Sequence, residues 1–277
     1  MSEIQSRVPA AEYHALDRIS YSRLKELKHS AQRYQYRLGH PMVTAPLTLG
    51  QAAHCATLEP ERFKRDFAVW ARRTEAGKMA PRNGQWWEAF QAECAGKTII
   101  TQDESDEAHA ISFAVRSDPT AMRYLEAGEP EVTMLWEPNR KGRPDWIANV
   151  GGRPVLVGLK TTRDCRHFAF GAQAAKLSYP IQWAWYHDGF KAIRGVAPAV
   201  VEIVVESAPP HAVAVYRILD DIIEFGREEY EQLLDVLSEC ERSGMWPGPY
   251  TDEQVLSLPS WVYGPAADDL AELELEQ

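Results

Sequence analysis

The sequence is short of cysteine, of positive charge and of long apolar runs. Its four cysteines, Cys55, Cys94, Cys165 and Cys240, are scattered without a Cys-x-x-Cys pair. That spacing argues against a structural zinc site and against a disulfide framework. No apolar run reaches the roughly 18 residues needed to span a bilayer, and Met1-Ser2-Glu3 begins no signal peptide. The expectation is a cytoplasmic protein with no membrane partner. Internal repeats are lacking too, which excludes a solenoid. The net charge of −10 speaks against a surface that is basic throughout. Part of that excess sits in Asp268, Asp269, Glu272, Glu274 and Glu276 near the end of the chain.

A hydrophobic content of 45% is ordinary for a soluble globule with a substantial core. The patterning predicts a loosely held arm over 1–18, one α/β domain over 19–262 and an acidic tail over 263–277. Ser20 can cap a helix that continues through Leu24 and Leu27, and a second short helix follows Ser30. A further helix is expected over 47–58, with Gly50 and Ala53 small enough for close backbone approach. Residues 64–81, with Arg72, Arg73 and Lys78, are expected to form a mobile loop. Trp86, Trp87 and Phe90 recur at helical spacing and are expected in the core, and 104–116 is amphipathic. Strands over 130–137, 142–150, 153–161, 199–206 and 212–217 would form a central mixed β-sheet. Helices over 165–176, 179–193 and 221–242 would flank it, below a helical N-terminal portion.

The most informative stretch runs from Lys141-Gly142-Arg143-Pro144-Asp145 to Leu159-Lys160-Thr161-Thr162. Apolar runs at 145–150 and 155–159 flank Gly151-Gly152, which predicts a β-hairpin carrying an acid on one strand and a lysine on the other. Phosphodiester hydrolysis at neutral pH needs a cation to polarise the phosphate, oxygen ligands to hold that cation and a positive side chain near the attacking water. Asp145 and Lys160 supply two of those parts. Taken alone, the same pattern describes a hairpin with a surface acid and a surface lysine. Arg140, Lys141, Arg143, Arg153, Lys160, Arg163, Arg166 and Lys176 gather around this stretch. As a set they are expected to form a local phosphate track on an acidic protein.

Pro144-Asp145 followed by Lys160 resembles the PD-(D/E)xK nuclease superfamily, in which position 158 carries Asp or Glu. Three other segments agree. Gly50-Gln51-Ala52-Ala53-His54 resembles the Gly-x-x-x-His signature of RecB-like and RecE-like nucleases. Gln182 and Tyr186 resemble their Gln-x-x-x-Tyr helix, and Ser20-Tyr21-Ser22-Arg23-Leu24 resembles their Ser-x-Ser-x-Leu opening. Spanning about Ser20 to about Glu206, the correspondence is similar to the RecE-type (exonuclease VIII) phage exonuclease family, which implies a restriction-endonuclease-like core.

That resemblance implies roles for individual residues. Asp145 would bind a divalent ion, His54 would add a nitrogen ligand and the Leu159 carbonyl a backbone oxygen. Lys160 would orient the attacking water. Glu131 lies on a strand that can face the same cleft, and Gln182 with Tyr186 shares one helix face. Arg143, Thr161, Thr162, Arg163 and Tyr186 are the expected DNA contacts. Mg²⁺ is the implied cofactor, with Mn²⁺ as a substitute. Some RecB-like relatives carry an iron-sulfur cluster, and this chain lacks the cysteines for one. The implied activity is an exodeoxyribonuclease on ends of linear double-stranded DNA, working 5′ to 3′ and leaving single-stranded tails for phage-type recombination. The implied partners are a single-strand annealing protein and further copies of the chain in a ring-shaped tetramer.

Gly158 departs from that pattern, since it removes a metal ligand and a negative charge where the superfamily keeps an acid. Glycine also weakens a strand interior, so strand physics does not explain it. Three explanations stand open: a knockout, natural decay, or an acid that has migrated from elsewhere, with Asp164, Glu202 and Glu206 as candidates. The expectation is a chain that binds DNA ends, cleaves poorly and gains Mg²⁺-dependent activity on Gly158→Asp. Competing readings are a catalytically silent DNA-binding or interaction module, and a non-nuclease α/β protein in which the motifs are coincidental.

Overall fold

The computed structural model describes residues 2–6, 8–40, 45–258 and 262, so the predicted acidic tail lies outside the described residues. In chain order, β1 (Glu3–Gln5), α1 (Ala10–Ala15) and α2 (Tyr21–Leu24) lead through a 3₁₀ turn to α3 (Ala31–Gly39). Ser30 caps α3 by accepting a hydrogen bond from the Arg33 N–H. Then come α4 (Ala45–Leu58), α5 (Pro60–Asp66), β2 (Phe67–Trp70), α6 (Gly84–Glu93), β3 (Thr98–Thr101) and α7 (Gln102–Ser117). A capping box starts α7, with Thr101 and Glu104 each accepting the other's backbone N–H. After α8 (Pro119–Leu125) the chain enters its strands: β4 (Gly128–Pro130), β5 (Thr133–Trp136), β6 (Arg140–Gly142), β7 (Trp146–Val150) and β8 (Arg153–Thr162). Helices α9 (His167–Lys176) and α10 (Tyr179–Arg194) carry it to β9 (Ala199–Glu206), β10 (Val213–Arg217) and α11 (Asp220–Ser243).

The predicted α/β class holds: a mixed sheet in the order β10-β9-β8-β7-β4 is flanked by helices. Neighbours are antiparallel except β8 and β9, which run parallel because α9 and α10 carry the crossover. Strand β8 is buried on both faces, which is why its sequence is nearly continuous in apolar residues. Leu156 joins the core formed with Trp183, Trp185, Ile223 and Leu237 from α10 and α11. Val155, Val157 and Leu159 point the other way, onto Ala52, Ala56, Ile111 and Val115 of α4 and α7. Helices α10 and α11 cross closely at Gly226, where an added Cβ would stand 2.0 Å from the Pro180 carbonyl oxygen.

Two predicted strands are each broken. The first splits at Glu131 into β4, in the five-stranded sheet, and β5, in a three-stranded sheet ordered β1-β5-β6. Glu131 takes a left-handed conformation there, φ 51°, which an L residue adopts at a cost of about 1–3 kcal/mol. The second splits between β6 and β7, where Pro144 has no N–H to donate to a ladder. Hydrophobic alternation alone reads straight through both breaks.

The arm expected over 1–18 is instead tied down. β1 pairs with β5, Ile4 facing Met134. Lys141 is 2% exposed, and its ammonium donates to the carbonyls of Tyr13 at 2.9 Å and Leu16 at 2.7 Å. A buried ammonium requires acceptors, and here the N-terminal backbone provides them. The arginine-rich stretch is a loop only in part, because the apolar run Phe67–Trp70 forms β2 and pairs in parallel with β3. Trp87 and Phe90 pack around Trp70 but are only half-buried, outside the core expected for them. Trp86 departs further from that expectation: it is 62% exposed, with the Arg72 guanidinium 4.0 Å from its ring.

Candidate metal centre

The breaks that interrupt the two strands also build the site. The Glu131 N–H donates to the Asp145 carbonyl at 3.0 Å, so the two interruptions lie side by side. Trp146 faces Val157 across the β7–β8 hairpin, leaving Asp145 just beyond the ladder, where its carboxylate accepts from the Leu159 N–H at 2.8 Å. Gly151 and Gly152, both with positive φ, close that hairpin. His54 reaches the same point from α4, whose Gly50 faces Thr161 of β8, where an added Cβ would make an ordinary 3.7 Å contact with the Thr161 hydroxyl. Its Nε2 lies 3.3 Å from Asp145 Oδ2 and its Nδ1 lies 3.6 Å from Glu131 Oε1. One ligand atom from each of His54, Glu131 and Asp145 falls within 4.8 Å of the others. Lys160 completes the group, its Nζ 3.4 Å from Asp145 Oδ2.

Burial governs the electrostatics here. It would raise the Asp145 carboxyl, but the Lys160 and His54 cations and the Leu159 N–H outweigh it and hold the group ionised far below the usual carboxylate range. Burial likewise opposes charge on Lys160, and Asp145 with Glu202 overcomes it and keeps the ammonium protonated. For His54 burial is again outweighed, by Asp145 and Glu131, and its pKa rises. Glu131 is pushed upward by desolvation, only partly relieved by His54.

Gly158 finds its explanation on the neighbouring strand. In the parallel β8–β9 ladder it stands opposite Glu202. A Cβ added at Gly158 would lie 2.3 Å from one Glu202 carboxylate oxygen and 2.6 Å from the other. Glu202 is 1% exposed, and its Oε1 is 3.3 Å from Lys160 Nζ. The other oxygen accepts from the Trp183 indole N–H. The space at position 158 is therefore filled by the carboxylate of Glu202, one of the three acids expected as candidates for a migrated ligand. The other acids proposed as replacements are engaged elsewhere: Asp164 is paired with Arg166, and Glu206 accepts from the Cys165 N–H.

The residues present fit a hard divalent cation: two carboxylates and an imidazole converge in a partly buried cleft. His54 Nε2, Glu202 Oε1 and Gln182 Oε1 are buried atoms with no hydrogen-bond partner among the described residues. Such atoms are rare in folded proteins and mark places where a ligand or water belongs. Among the expected contributors, the structure brings together His54, Glu131, Asp145, Leu159, Lys160 and the Gly158 position. Gln182 lines the cavity beside Gly158, and Tyr186 stands edge-on to Tyr21, ring centroids 5.5 Å apart.

The expected DNA contacts fare differently. Arg143 is turned inward, its guanidinium donating to the Glu131 and Val8 carbonyls and lying 3.0 Å from the Glu131 carboxylate. Thr162 is buried and hydrogen-bonded to Gln173 at 2.9 Å. Neither is free for a phosphate. The predicted basic track loses Lys141 and Arg143 for the same reason, since both cations are consumed in holding the N-terminal segment. Thr161 is half-buried and Arg163 exposed at the end of β8. Sequence reasoning passed over Trp183 and Tyr21. The indole is the hydrogen-bond partner of Glu202, and its signal was a polar-capable aromatic in a helix facing an acid in the apolar run Val200-Val201-Glu202-Ile203-Val204.

The fold matches a crystal structure from Eubacterium rectale, described provisionally as an exonuclease, with a TM-score of 0.62 and 15% identity, covering 92% of this chain and 96% of that one. At that identity the match bears on the fold alone. A second crystal structure, SSO0001, aligns at 21% identity over 47% of this chain and 67% of its own, with a TM-score of 0.26, too low to bear on the fold. No curated protein sequence matches the chain significantly. The family model "PDDEXK-like domain of unknown function (DUF3799)" matches residues 20–253, a span containing His54, Glu131, Asp145, Lys160 and Glu202. By that match the chain belongs to the PDDEXK-like DUF3799 family, within the PD-(D/E)xK nuclease superfamily.

Proposed function

We propose that this protein is a divalent-metal-dependent exodeoxyribonuclease that acts on ends of linear double-stranded DNA. The observation that carries the reading is the convergence of His54, Glu131 and Asp145 with Lys160 3.4 Å from Asp145, inside a PDDEXK-like domain. His54, Asp145 and Glu131 would hold the cation, with the Leu159 carbonyl as a further oxygen, and Mg²⁺ or Mn²⁺ suits that donor set. When bound, the cation supplies Lewis-acid polarisation of a phosphate oxygen and a more acidic water. The charge of Lys160 is secured from two sides, by Asp145 and by Glu202. Its role in this reading is to orient the attacking water and to stabilise negative charge on the phosphate. Gln182 faces the same cavity and offers a polar contact to the water or phosphate.

The RecE-like resemblance extends the proposal to 5′-to-3′ digestion, single-stranded tails for recombination, a single-strand annealing partner and a ring-shaped tetramer. Arg163, exposed at the end of β8, and Thr161 beside it are the proposed strand contacts. The test is digestion of linear against covalently closed duplex DNA in Mg²⁺, Mn²⁺ or EDTA, with label at either end. Loss of the linear form alone, dependent on metal and abolished in Asp145→Asn, is the expected result. Equal digestion of the closed form would reject end-dependence, and no digestion in either metal would reject the nuclease reading.

A further inference from the structure

We propose that Glu202 is the acid of this metal centre that position 158 lacks, and that residue 158 is glycine because the Glu202 carboxylate needs its space. The inference rests on the nuclease reading above and adds a residue to it.

Three observations lead there. The first is register: Gly158 and Glu202 are partners in the parallel β8–β9 ladder, so their side chains leave the sheet on one face, the face that carries Lys160. The second is occupancy: both Glu202 oxygens lie within 2.6 Å of where a Cβ of residue 158 would be. An acid at 158 would need the volume that the Glu202 carboxylate occupies, and the end of the Glu202 side chain would have to move to admit it. The third is cost. A carboxylate with 1% exposure is expensive in an apolar strand, and its ladder neighbours along β9 are valines and isoleucine. Apart from the Trp183 indole, which donates to Oε2, and the Lys160 ammonium, its surroundings are apolar, and Oε1 has no hydrogen-bond partner among the described residues. That same Oε1 lies 3.3 Å from Lys160 Nζ, the ammonium that Asp145 approaches at 3.4 Å. A cavity of ≈ 20 Å³, room for about one water, opens among Asp145, Gly158, Lys160, Gln182 and Glu202. Carboxylate, ammonium and water-sized space are thus arranged around position 158 with the charge arriving from the adjacent strand.

The exchange can be tested in the full-length chain by Mn²⁺ titration calorimetry, with circular dichroism to confirm folding. Glu202→Gln keeps the side-chain volume and an acceptor for Trp183, and it should weaken Mn²⁺ binding about 10–100-fold. Glu202→Ala should do the same. Gly158→Asp/Glu202→Ala, which moves the acid back to β8, should return to within about tenfold of the parent affinity. The proposal is overturned if Glu202→Gln binds Mn²⁺ as tightly as the parent, or if the exchanged pair binds no better than Glu202→Ala. Should Glu202→Ala not fold, the Glu202→Gln comparison decides alone. Parallel digestion of linear DNA separates this claim from the one beneath it. Affinities that follow the expected pattern in a parent chain that leaves DNA intact would retain the Glu202 assignment and reject the nuclease. Digestion undiminished in Glu202→Gln would retain the nuclease and reject the assignment.

Discussion

The Glu131 backbone N–H donates to the Asp145 carbonyl at 3.0 Å, and this one bond joins the two places where strands of the hairpin meander leave their sheets. Glu131 is held left-handed at φ 51°, with its carboxylate 3.0 Å from the buried Arg143 guanidinium. Removing the carboxylate with Glu131→Ala leaves Arg143 buried with only backbone acceptors, and should cost about 1–3 kcal/mol in urea unfolding. Glu131→Gln retains an acceptor and should lose less than half of that while weakening Mn²⁺ binding as strongly as the alanine. Equal stability loss in both would show that the charge, rather than the acceptor, holds Arg143.

Lys160 separates two buried carboxylates. Lys160→Met removes the only ammonium within reach of both Asp145 and Glu202 among the described residues and should destabilise the protein by about 3–5 kcal/mol at neutral pH. Much of that cost is repulsion and desolvation left behind, so Lys160→Met/Glu202→Gln should be more stable than the sum of the single changes by about 0.5–3 kcal/mol. Additivity in the cycle would mean that Lys160 and Glu202 are not energetically paired.

Lys141 predicts a pH dependence of unusual sign. Burial, and then the Arg23 cation, lower its pKa from 10.5 to about 8. Between those values the unfolded chain holds the proton that the folded chain has shed. Stability from this group therefore rises with pH across that window. The gain is absent below pH 8 and complete above the unfolded value. Thermal melts of the parent and of Lys141→Met at successive pH values isolate this group from the tyrosines that titrate nearby. The difference between the two curves should grow in the parent's favour from pH 8 to 10.5, and a flat difference would show that the two carbonyl bonds keep Lys141 charged.

Gly226 is expected to tolerate no side chain. Its missing Cβ would meet the Pro180 carbonyl at 2.0 Å, and backbone on both sides cannot yield as a flexible side chain would. Gly226→Ala should cost about 1–3 kcal/mol by forcing α10 from α11, despite alanine's better helix propensity. Unchanged stability on urea unfolding would show that the helices separate freely.

Much of this protein was legible along the chain because the evidence is local. Strand and helix periodicities announce an α/β fold, and the Gly151-Gly152 turn announces the hairpin that carries Asp145 and Lys160. His54, Asp145, Lys160 and Gln182 each sit in a short motif, so each was visible without knowledge of its neighbours. What only the tertiary structure decided depends on distance in sequence. Glu202 faces Gly158 because the α9–α10 crossover sets the register of two parallel strands, and no local pattern encodes that register. Lys141 and Arg143 read as surface cations until the N-terminal segment folds over them. The same holds for Glu131, which periodicity assigned to a continuous strand. The strand breaks there at a left-handed residue whose backbone N–H bonds the Asp145 carbonyl, a partner 14 residues away that periodicity does not register.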